Sequence, residues 1–201
     1  TNGAPLPHVI ISDGCSSSNY TEFGSKILAR LADVNFIKLF SDSSDGSYYD
    51  PLKDDVDQYI FNLLSGSILS LHSLYLPSTA LDATLLLLFP TSASEDLNDV
   101  YPRKYQKFIV MCFGDGVIFW KYKDQPGIYY TKIDFSHNAP AYLSYRLDEK
   151  RKELYEEASL GYTKNIIKGK PDGSLEINSN SISSLDYWFD VFDMKQIELI
   201  G

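Results

Sequence analysis

Val9-Ile10-Ile11-Ser12-Asp13-Gly14-Cys15-Ser16-Ser17-Ser18-Asn19-Tyr20-Thr21-Glu22-Phe23 decides the fold, because it reads as a strand, a turn and a helix start in succession. The apolar triplet ends at Ser12-Asp13-Gly14, the pattern of a buried strand stopped by a turn. Asn19, with Glu22 three residues on, offers a helix cap. Phe23, Ile27 and Leu31 then recur at helical spacing with Leu28 beside them, which predicts an apolar face about four turns long. Gly24 lowers helix propensity, so close packing against a neighbour is its expected reason.

Outward from this stretch, residues 41–55 are rich in Ser, Asp and Gly and read as a loop. A second helix is expected from about Asp54 to Leu74, burying Val56, Ile60, Leu63, Leu64 and Leu71, with Pro77 marking its end. The pattern then changes to strands. Ala83 to Phe89 and Phe108 to Phe113 are nearly continuous apolar runs, and Val117 to Tyr122 and Ile128 to Ile133 contain alternating stretches. Gly114-Asp115-Gly116 reads as a tight hairpin turn between two of them. A third helix is expected over Arg146 to Ala158, a polar, turn-rich stretch over 168–186, and a last strand over Lys195 to Ile200. Helices gathered around a block of antiparallel strands make an α+β class, in a single domain spanning residues 1–201.

Composition narrows the partners. The chain carries a net charge of -9, and its best basic group, Lys150-Arg151-Lys152, is flanked by Glu149 and Glu153. That is the pattern of a solvated helix face, and no nucleic-acid partner is expected. Fifteen Tyr and eleven Phe need packed neighbours, which argues against disorder. Two cysteines cannot build a disulfide framework, and Cys112 sits in an apolar run as a small core residue. No signal peptide opens the sequence and Leu81 to Phe89 is too short to cross a bilayer, so a cytoplasmic setting without a membrane partner is expected.

Two segments share one form, an apolar strand ending in aspartate beside glycine: Ile10-Ile11-Ser12-Asp13-Gly14 and Cys112-Phe113-Gly114-Asp115-Gly116. A strand fixes where a carboxylate points, and glycine lets a carbonyl or water come close. Mg²⁺ and Mn²⁺ take such hard oxygen ligands, and two strand ends brought together could form a water-activating site. Asp-Gly after a strand is ordinarily just a turn, so both readings stand at this level. The run Ser16-Ser17-Ser18 could bond a phosphate or serve as a linker to the helix. A calcium loop over Asp42 to Asp50 fails on spacing, because Gly46 falls at the wrong position. Cys15 lacks the following Arg that a cysteine-based phosphatase loop needs, and His8, His72 and His137 show no metal spacing.

The order of these segments resembles the type 2C (PPM) family of metal-dependent serine/threonine protein phosphatases. The likeness is to the bacterial branch whose first segment reads Ser-Asp-Gly-Cys-Ser, here Ser12-Asp13-Gly14-Cys15-Ser16, followed by Thr21 to Ala29. Asp82-Ala83-Thr84-Leu85-Leu86, Gly114-Asp115-Gly116 and the stretch Asn138 to Arg146 follow in the branch's order. The resemblance implies two packed antiparallel β-sheets flanked by helices, α-β-β-α. It implies hydrolysis of phosphoserine and phosphothreonine in a phosphorylated protein substrate by water held between two Mn²⁺ or Mg²⁺ ions. Asp13 would bridge the metals, Gly14 would offer its carbonyl, and Asp115 would serve a weaker third position. The family also has an acidic pair before the first strand and a Ser-Asp-Gly near the C-terminus. Only eight residues, none acidic, precede Val9, and the sequence stops at Ile197 to Gly201. The domain is therefore expected to be trimmed at both ends and catalytically incomplete, with a non-enzymatic binding or regulatory module as the alternative.

Overall fold

The structure is a computed structural model that describes residues 8–41, 55–91, 107–158, 163–181, 188–193 and 196–198. It opens with strand β1 (Val9–Gly14), helix α1 (Thr21–Ser41) and helix α2 (Asp55–Leu74). One turn of 3₁₀ helix (Ser78–Leu81) leads into β2 (Ala83–Thr91), and β3 (Lys107–Phe113), β4 (Gly116–Tyr122) and β5 (Tyr129–Phe135) follow. Two further 3₁₀ segments (Ser136–Asn138 and Leu143–Leu147) precede α3 (Glu149–Ala158). The described part closes with β6 (Thr163–Gly169), β7 (Leu175–Ser181), β8 (Trp188–Asp193) and β9 (Ile197–Glu198). The class is α+β, with two antiparallel sheets ordered β1-β2-β3-β8 and β7-β6-β5-β4-β9.

Alternation along β3 explains how the layers stack. Ile109, Met111 and Phe113 face a core shared with Leu28, Ala32 and Phe36 of α1 and with Ile60, Leu63 and Leu71 of α2. Phe108, Val110 and Cys112 face the opposite way, onto Trp120, Ile133 and Phe135 of the second sheet. A strand buried on both faces must be apolar throughout, which is why residues 108–113 carry no polar alternation. Each fully buried Leu or Phe contributes about 1.5–3 kcal/mol of burial energy.

Several expectations are corrected here. Gly114-Asp115 is not a hairpin turn: β3 pairs with β2 and β8, while β4 pairs with β5 and β9. The link is a corner that carries the chain from one sheet to the other, and Gly114 takes φ +87° to make it. The first strand is an edge strand among those described, so Val9 and Ile11 stay 50% and 55% exposed rather than buried. Helix α1 starts at Thr21, with Tyr20 at φ 65° just before it, so Asn19 lies one residue outside the capping position. Its deepest stripe is Leu28, Ala32 and Phe36, turned one residue from Phe23, which is half exposed. Gly24 does mark close packing: a Cβ there would lie 1.7 Å from the Ala80 carbonyl oxygen.

The polar stretch 168–186 contains most of a hairpin, β6 to β7, paired from Thr163↔Ser181 to Gly169↔Leu175. Its residues are solvated on an outer strand, so polarity hid the alternation. Helix α3 packs against the 3₁₀ segment Leu143–Leu147 and stacks Tyr155 on Tyr145. Phe119 and Ile177 of the second sheet are exposed. The loop over 41–55 and the calcium-type pattern from Asp42 fall almost wholly outside the described residues, whereas the strand expected over Lys195 to Ile200 is seen in its middle as β9. No helix among the described residues is long and apolar enough to cross a membrane.

Candidate functional site

Asp13 sits at the end of β1, directly across from Thr84 in the β1–β2 register. Thr84 donates its side-chain hydroxyl to Asp115 Oδ1 at 3.0 Å. One threonine therefore brings both strand-end aspartates, distant in sequence, to the same end of the sheet pair. The Asp13 side chain is exposed and Asp115 is half-buried. Gly14 follows Asp13 where α1 comes down on the strand: a Cβ there would lie 2.8 Å from backbone and side-chain atoms of Thr21. Gly114 is enclosed in the same way, since its Cβ would meet Thr84 Oγ1 at 3.1 Å and the Tyr142 ring at 3.4 Å.

Cys15 and Tyr142 line the neighbouring wall. Cys15 Sγ lies 2.9 Å from Ser17 Oγ and also bonds the Tyr142 hydroxyl. Partial burial pushes the thiol up, but the hydrogen bonds from Ser17 and Tyr142 outweigh it and leave Cys15 below its ordinary value. Tyr142 moves the opposite way, pushed up by burial and then by its bond to Cys15. Cys112 is the core residue its context indicated: burial, with the Asp115 charge, pushes its thiol up to about 12.

Behind this wall lies the carboxylate of Asp82, one residue before β2. Asp82 is 4% exposed and collects four hydrogen bonds to its carboxylate oxygens. Ser144 Oγ donates to Oδ1 at 2.6 Å, Ser18 Oγ to Oδ2 at 2.9 Å, and Arg151 Nη2 to both oxygens at 2.8 and 2.9 Å. The Asp82 carbonyl accepts the Cys15 amide at 2.8 Å. Arg151 was read as part of a solvated helix face; instead its side chain is only 18% exposed and its guanidinium lies 4.9 Å from the Tyr145 ring centre. Removing the guanidinium would leave a buried charge uncompensated, at a cost on the order of 3–5 kcal/mol. Two of the three serines, Ser17 and Ser18, hydrogen-bond within the protein, to Cys15 and to Asp82.

As a cation site the donor set is partial. Asp13 stands opposite Thr84, which bonds the Asp115 carboxylate, and Gly14, whose carbonyl the resemblance offers as a ligand, is the last residue of β1. Among the described residues no group of three or more His, Cys, Asp or Glu side chains assembles to hold a metal ion. Two divalent cations need several carboxylates, so these residues fit a share of such a centre and not the whole of it. The histidines stay outside: His8 Nε2 lies 2.9 Å from Asp33 Oδ1, and His72 and His137 are exposed. Compared with family models, with curated proteins and with solved structures, the chain matches none of them.

Proposed function

We propose that this chain carries part of the scaffold of a Mn²⁺- or Mg²⁺-dependent phosphatase of the type 2C kind, acting on phosphoserine and phosphothreonine in proteins. The observation that carries the reading is the junction of Asp13 and Asp115 through Thr84. Both segments that share the strand–Asp–Gly form end at that junction, and the resemblance gives a metal role to each. Two antiparallel sheets with a helix pair against one of them suit the same reading. Asp13 would be the main ligand, with the Gly14 carbonyl beside it and Asp115 at a weaker position. A bound divalent cation would supply a water acidic enough to attack a phosphoryl group near neutral pH. Asp13 and Thr84 would orient that region, and Tyr142 would form its aromatic wall.

A second reading is a binding or regulatory module that keeps the fold without turnover. The shortage of a third carboxylate among the described residues favours it. Turnover of a phosphothreonine peptide in millimolar Mn²⁺ separates the two. Mn²⁺-dependent hydrolysis lost in Asp13→Asn supports an enzyme; peptide binding that is indifferent to Mn²⁺ and to Asp13→Asn supports a module.

A further inference from the structure

Asp82, just before β2, ties three other segments together. Its carboxylate holds Ser18 from the β1–α1 turn, Ser144 from the 3₁₀ segment before α3, and Arg151 from α3 itself. Its own carbonyl holds the Cys15 amide. Two residues further along, Thr84 faces Asp13 and bonds Asp115. The path from Arg151 to the two aspartates therefore runs through one buried side chain and three consecutive backbone units.

From this geometry we infer that Asp82 and Arg151 are positioning residues for the Asp13–Asp115 site, with α3 acting on it through their ion pair. The inference rests on reading that site as a cation site, and it goes beyond that reading by naming what holds the site in shape. The physical argument is one of enclosure. A carboxylate that is 4% exposed cannot be re-solvated in place, so its donors must stay where they are. Ser18 and the Cys15 amide thereby fix the turn that follows β1, beside Asp13 and Gly14. The Arg151 guanidinium also lies 4.9 Å from the Tyr145 ring centre, and Tyr145 is itself stacked on Tyr155 with ring centres 4.6 Å apart.

Cys15 provides a readout inside the turn, and Cys112, 1% exposed, provides an internal gauge of global opening. The experiment follows iodoacetamide labelling of both thiols by mass spectrometry across a pH series, together with Mn²⁺ titration. It compares wild type with Arg151→Gln, Arg151→Lys and the milder Ser18→Ala, which removes a single hydrogen bond. The high-pH plateau rate reports access to Cys15 apart from any change in its charge state. Arg151→Gln and Ser18→Ala are expected to raise the Cys15 plateau rate severalfold with Cys112 still unlabelled, and Arg151→Lys to restore part of the protection. Mn²⁺ affinity should fall about tenfold in Arg151→Gln, the usual size of effect for a residue supporting a metal ligand. An unchanged Cys15 plateau in both Arg151→Gln and Ser18→Ala overturns the inference, and so does labelling that rises equally at Cys15 and Cys112. A selective rise at Cys15 in a protein whose wild type binds no Mn²⁺ upholds the positioning role and removes the cation reading instead.

Discussion

Thr84 donates its hydroxyl to Asp115 Oδ1 at 3.0 Å while standing opposite Asp13 in the strand register. This relationship makes Thr84 the joint between the two aspartates. Thr84→Val keeps the shape and removes the donor. A single hydrogen bond contributes about 1 kcal/mol, so a modest drop in thermal stability is expected. Mn²⁺ binding should weaken more than that drop alone would produce, because Asp115 loses its orientation. Calorimetric unfolding and Mn²⁺ titration of the same sample check the contrast, and equal affinity in both proteins would count against the joint.

Asp115→Asn tests the weaker position. The residue sits half-buried at a corner between sheets, so the amide should leave the unfolding midpoint nearly unchanged. Mn²⁺ affinity should fall, but by less than for the corresponding change at Asp13. A larger loss at Asp115 than at Asp13 would reverse the assignment of the two carboxylates.

Gly24→Ala separates propensity from packing. Alanine gains about 1 kcal/mol of helix propensity over glycine in a free helix. Here its Cβ would lie 1.7 Å from the Ala80 carbonyl oxygen, and backbone would have to move. Strain of about 1–3 kcal/mol or more is the usual result of such overpacking, so net destabilisation is expected. Urea unfolding decides it, and a more stable Gly24→Ala protein would mean that α1 and the Ser78–Leu81 turn separate easily.

Cys15 should titrate below an ordinary thiol, because the Ser17 and Tyr142 hydrogen bonds outweigh the opposing effect of its burial. The sign for stability follows. A folded-state value below the unfolded one adds stability that is present above the unfolded value, near 8.5, and is lost as pH falls through the folded value. Alkylation of native Cys15 should therefore reach half its plateau below the midpoint of the urea-unfolded chain. Ser17→Ala should move that midpoint up. Cys112, pushed up to about 12 by burial and 1% exposed, should stay unlabelled until the protein unfolds.

The helices and the inner strands were legible in the sequence because burial wrote them there. Ile60, Leu63 and Leu71 recur on one face of α2, and residues 108–113 are apolar because both of their faces are covered. What burial does not touch was harder to read. The β6–β7 hairpin is solvated, and β8 lay within a stretch without a marked alternation. The Asp-Gly corner after β3 carries the residues of a hairpin turn, and only the pairing of β3 with β8 shows that the chain changes sheets. At the proposed site, Asp13 and Asp115 stand out in the sequence through their shared strand–Asp–Gly form. Asp82 and Arg151 do not, since an aspartate after Leu81 and an arginine between two lysines look solvated until the fold buries them together.

The central claim, that Asp13 is the principal ligand for a divalent cation, is tested most directly by isothermal titration of the 201-residue chain with Mn²⁺, beside Asp13→Asn. The amide keeps the size and the exposed position of the carboxylate, so the fold should be unaffected. The account predicts measurable but weak binding by wild type, a loss of about tenfold or more in Asp13→Asn, and phosphatase turnover close to background in both. Equal Mn²⁺ affinity in the two proteins, or no binding by wild type at millimolar Mn²⁺, would contradict it.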